Sequence, residues 1–195
     1  MNIKRFIGVV TATFFVAWLL LVLLSWLLSA TMVPGVRSLL TGEGLRWFFS
    51  HLVDGIATPM LVWLLMAAMA GGCLARCGIF NFQSSTLNLR SRPLRLALLL
   101  LLAYIFLLSL LTAVPHAALL SATGTLSHSP FSRAIVPLAA AAVVLFSVAY
   151  GLVAHAFESL ADITDAMVFG LAKAAPLLFV YIAAMVFLRT LNYVF

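Results

Sequence analysis

The chain reads as an all-α, polytopic membrane protein with about five transmembrane helices and one amphipathic interfacial helix after the first span. Three observations predict this. Of its 195 residues, 65% are hydrophobic and only 8% are charged, against about 25% charged in a soluble domain. The charges fall between apolar runs close to the ~20 residues that cross ~30 Å of hydrocarbon. The runs are continuous rather than alternating, which selects helices over barrel strands. A soluble enzyme and a disordered tail are excluded. The net charge of +6 does not indicate a nucleic-acid partner, because the basic residues are scattered and most flank apolar runs.

The elements follow in order. Residues 1–5 are short and basic, and residues 8–28 carry no charge. That run exceeds the ~7–15 residues of a signal-peptide core, so it is expected to stay as a first span, residues 7–29. Pro34-Gly35 breaks the chain. In SLLTGEGLRWFFSHLV, residues 38–53, Leu45, Phe48, Phe49, Leu52 and Val53 recur at helical spacing while Arg46, Ser50 and Asp54 share another face. This predicts a helix lying in the interface, or a partly re-entrant one, with Arg46 and Trp47 at headgroup level. The second span, residues 56–79, ends in Ala67, Ala68, Ala70, Gly71 and Gly72, which permit close helix approach. A leucine-rich third span covers 94–114. The fourth, 134–157, holds the run Ala139 to Ala142 and one histidine, His155, and has Pro137 near its start. The fifth, 163–191, contains Lys173, Pro176 and Arg189, with Pro176 expected to bend it. The whole chain, 1–195, is expected to form one integral membrane domain.

Lys173 stands out as the only lysine after Lys4. An ionisable group inside a span is a functional candidate by default; the competing reading is a side chain that snorkels to the headgroups. The same pair of readings applies to Arg189. His155, Glu158 and Asp162 would share one face of a continuous helix. A single set in that order suits a solvated helix end better than a metal site. Cys73 and Cys77 sit one turn apart without further ligands nearby and read as packing residues. No catalytic constellation, metal or cofactor is expected, so the chain is not read as an enzyme. Lys4, Arg5, Arg76, Arg90, Arg92 and Arg95 outnumber Arg37, Arg46 and Arg133. This predicts a cytoplasmic N-terminus and Arg90 loop, with the His128 loop and C-terminus outside.

Two blocks of residues point to a family. The first runs LLSWL (23–27), SLLTGEGLRWFF (38–49) and HLVDG (51–55). The second runs LRLA (94–97), SPF (129–131), IVPL (135–138), SVAYG (147–151) and an acidic helix entry at 162–167. Their order and spacing resemble the p-aminobenzoyl-glutamate transporter (AbgT) family over most of the chain. The resemblance implies shared ancestry and helix packing in a bacterial inner membrane. Family members are two to three times longer, with nine spans and two re-entrant hairpins that carry the substrate and ion groups. Here NFQSST, residues 81–86, stands where the first hairpin lies, and the second is not reached. The resemblance therefore implies an internally shortened relative lacking both hairpins, with no substrate or ion residue carried over. The expected role is a non-catalytic scaffold or accessory subunit of a transporter, packed in the bilayer against itself or a larger transporter subunit. The alternative is an autonomous small oligomeric transporter or channel for small anionic metabolites or antimetabolites, with Lys173 and Arg189 facing the pore.

Overall fold

Six α-helices follow one another in the computed structural model, which describes residues 3–79, 91–113 and 130–195. They are α1 (Ile3–Ala30), α2 (Gly42–Ile56), α3 (Pro59–Arg76), α4 (Arg92–Ala113), α5 (Pro130–Val153) and α6 (Leu160–Val194). The described residues contain no strand, and all helices but α2 are long and apolar enough to cross a membrane. The fold is the all-helical membrane architecture that the apolar runs predict. The connections holding Ser84, Ser85, Arg90, His116 and His128 lie outside the described residues.

Helix ends depart from the hydropathy boundaries where local hydrogen bonding decides them. α2 starts at Gly42 rather than 38, because Thr41 is its N-cap and its hydroxyl accepts from the Gly44 N–H at 3.2 Å. α3 starts at Pro59, where the missing N–H costs nothing. α5 begins at Pro130, which places Pro137 in its interior rather than near its start. α1 and α5 both end with a left-handed residue, Met32 (φ 54°) and His155 (φ 55°). Beyond α5, the Ala156 N–H reaches the Gly151 carbonyl at 2.8 Å and the His155 N–H reaches Leu152 at 3.4 Å. That pair of bonds is a Schellman cap. Ser159 and Asp162 form the capping box of α6. The Asp162 carboxylate accepts from the N–H groups of Glu158 (2.9 Å) and Ser159 (2.8 Å), and the Ser159 hydroxyl accepts from the Asp162 N–H.

The chain divides into two compact units, Met1–Val62 with Ala174–Phe195, and Trp63–Lys173. In the first, side chains carry the packing of α1, α2 and the later part of α6. The Trp18 indole N–H donates to Thr190 Oγ1 at 3.0 Å, and the Thr190 hydroxyl donates to the Val186 carbonyl. Tyr181 donates to the Ile56 carbonyl at 3.1 Å and meets the Thr58 hydroxyl. These bonds serve the break between α2 and α3, where backbone groups leave the helical ladder. The Arg37 N–H donates to the Val194 carbonyl at 3.0 Å, tying the turn after α1 to the end of α6. Phe14 packs on Phe187 and Trp47 on Tyr193.

The second unit is built on backbone proximity. Gly72 of α3 faces Gly170 of α6 so closely that a Cβ at Gly72 would lie 2.6 Å from the Gly170 Cα. A Cβ at Gly170 would strike the Ala68 carbonyl, and one at Gly72 the Ala166 carbonyl. Ala68 and Gly72, and Ala166 and Gly170, are therefore paired small-xxx-small motifs. Cys73, Cys77, Phe157 and Ala166 form the buried cluster beside them. The Cys77 thiol donates to the Leu74 carbonyl at 3.1 Å. α4 and α5 are neighbours, and the Tyr104 hydroxyl donates to the Leu138 carbonyl at 3.1 Å.

Candidate functional site

Lys173 lies in the second unit, exposed on α6. Its Nζ is 4.5 Å from the centroid of the Phe169 ring one turn earlier. The guanidinium carbon of Arg76, the last residue of α3, is also 4.5 Å from that centroid. Both distances are within the ~6 Å range of cation–π attraction. The α3–α6 crossing sets this up. Gly72 stands one turn before Arg76, and Gly170 follows Phe169, so the contact that fixes the two backbones also brings the two cations to one ring. Sequence reading singled out Lys173 but missed Arg76 and Phe169. The signal that finds them is the Gly170 register, which pairs α6 with the end of α3.

Arg189 lies in the first unit and is exposed. A Cβ at Gly55 would be 3.2 Å from the Arg189 Cγ, so Gly55 makes the notch that its aliphatic stem crosses. A shallow groove there is lined by Trp47, His51, Leu52, Gly55, Met185 and Arg189. Trp47 is half-buried and stacks on Tyr193, at a centroid distance of 4.2 Å, and on His51 at 5.2 Å. Arg46 points away and is exposed. Thus α2 has three faces. Gly44, Phe48 and Gly55 are on the packed one, Arg46, Ser50 and Asp54 are on an exposed polar one, and Phe49 (70% exposed) and Val53 (71%) are on an exposed apolar one.

His155 is exposed at the left-handed end of α5, two residues past the helix. The helix break means that His155, Glu158 and Asp162 do not share one helix face, because the carboxylate of Asp162 caps α6. Among the described residues, no three His, Cys, Asp or Glu side chains are grouped as metal ligands would be.

Comparison with known proteins adds one match. The model of the AbgT putative transporter family matches residues 80–194. No curated protein and no solved structure matches the chain. The matched stretch spans α4, α5 and α6, including Phe169, Gly170, Lys173 and Arg189. It covers more than half the chain, and its multiple apolar helices suit a lipid bilayer. The chain belongs to the AbgT putative transporter family and is a transporter-related membrane protein.

Proposed function

We propose that the protein is a non-catalytic scaffold or accessory subunit of a membrane transporter, acting as one membrane domain in a bacterial inner membrane with its N-terminus cytoplasmic. The observation that carries this reading is how the interior polar groups are used. Among the described residues, every buried side-chain nitrogen and oxygen has a hydrogen-bond partner. Ser25 binds the Val22 carbonyl and the Leu39 N–H, Ser147 the Val143 carbonyl, and Thr190 the Val186 carbonyl and Trp18. Polar groups inside a bilayer protein either hold helices together or face a cargo. These hold helices. A second reading, a small oligomeric carrier or channel for anionic metabolites, draws on Arg76 and Lys173 meeting at Phe169.

Affinity purification of the tagged chain from native membranes in mild detergent tests the proposal. The scaffold reading expects a larger membrane protein to co-purify in fixed stoichiometry. Recovery only as copies of this chain contradicts the accessory role and favours the carrier.

A further inference from the structure

We propose that Arg76, Phe169 and Lys173 form a site for the phosphate of an anionic bilayer lipid. Two like charges are held at one ring, each 4.5 Å from its centroid, so they lie at most twice that distance apart. That separation is within the reach of a single lipid headgroup. The ring attracts both cations, and a phosphate that reaches both offsets their repulsion. Arg and Lys both recognise phosphate, Arg as a fork and Lys as a point charge.

Depth points to a lipid rather than a soluble ion as the source. Arg76 ends the apolar helix α3. Lys173 precedes fifteen uncharged residues, 174–188, roughly 22 Å of helix. Both side chains are exposed. A cation at the edge of an apolar run reaches for the headgroup layer. α6 has 35 residues, about 52 Å, which exceeds the ~30 Å hydrocarbon thickness. Its first turns, with Asp162 and Asp165, can therefore extend beyond the hydrocarbon. Asp165 lies one turn before Phe169 and sets one negative charge on the same helix against the two positive ones. The Gly72–Gly170 contact holds the two backbones in register, which limits the ordering that binding requires.

The test is native mass spectrometry of the purified chain, titrated with dioleoyl phosphatidylglycerol or dioleoyl phosphatidylcholine. The wild type is expected to retain the anionic lipid at least about tenfold better, since each basic group near an anionic surface contributes about fivefold. Arg76→Gln and Lys173→Gln each lower the preference about fivefold, and the double variant loses it. The charge-retaining double variant Arg76→Lys, Lys173→Arg keeps it, and Asp165→Asn raises it. An unchanged preference in the double Gln variant overturns the proposal. So does displacement of the lipid by millimolar inorganic phosphate, which would assign the site to a soluble anion. Should the Gln variants not fold, phosphatidylglycerol with a photoreactive headgroup decides on the wild type. Labelling at residues 76 and 169–173 is expected, and labelling confined elsewhere contradicts the site.

Discussion

The helix packing of the first unit and the α3–α6 crossing of the second work by opposite means. The first joins α1, α2 and the later part of α6 with long side chains, through Trp18 on Thr190, Tyr181 on Ile56 and Thr58, and Trp47 on Tyr193. The second removes side chains, so that α3 and α6 meet backbone to backbone at Gly72 and Gly170. Lipid is as apolar as leucine, so burial alone does not draw helices together in a bilayer. What remains is dispersion, favoured by close backbones, and interhelical hydrogen bonds, favoured by reaching side chains. Backbone contact, in the second unit, is rigid and intolerant of added volume. Side-chain hydrogen bonding, in the first, is modular, and each bond contributes little.

That contrast sets the order of expected effects. Gly72→Val places atoms where the Gly170 backbone and the Ala166 carbonyl already stand. Neither can move as a flexible side chain would, so a loss of about 3 kcal/mol or failure to fold is expected. Unfolding by dodecyl sulfate titration in mixed micelles measures it, and a near-neutral Gly72→Val would remove the close crossing from the account. Tyr181→Phe in the first unit breaks the bond to the Ile56 carbonyl and the contact with Thr58. It is expected to cost about 1 kcal/mol in the same titration. Trp18→Phe keeps most of the ring volume beside Phe48 and loses the bond to Thr190, for about 0.6 kcal/mol from that bond. If that substitution proves as costly as Gly72→Val, the first unit is as rigid as the second.

One further change separates a cap from a ligand. His155 holds a left-handed backbone that glycine adopts freely. His155→Gly is expected to stabilise the protein by up to about 1 kcal/mol, read from the same titration. A destabilised variant would mean that the imidazole makes contacts beyond the cap.

Hydropathy made the spans legible, because a helix that crosses lipid must be apolar along its whole length whatever it packs against. The ends were less so. His155 lies inside an uninterrupted apolar run, yet the Schellman cap stops α5 at Val153 and turns the buried ring of Phe157 over Gly151. The small residues at the end of α3 were visible as a group. Their partner was not, because the register of Gly170 with Gly72 is a tertiary fact. Lys173 was visible by its charge alone. Arg76 looked like a boundary residue until the crossing placed it at the same ring. Trp47, expected at headgroup level from its type, stacks on Tyr193, a residue far along the chain.

Transport by the isolated chain tests the scaffold account most directly. Purified protein in liposomes, given radiolabelled p-aminobenzoyl-glutamate under an imposed proton or sodium gradient, is expected to show no saturable uptake above empty liposomes. Lys173→Ala is expected to leave that background unchanged. Saturable uptake that disappears with Lys173→Ala would contradict the scaffold reading and establish a small carrier with that lysine on the path.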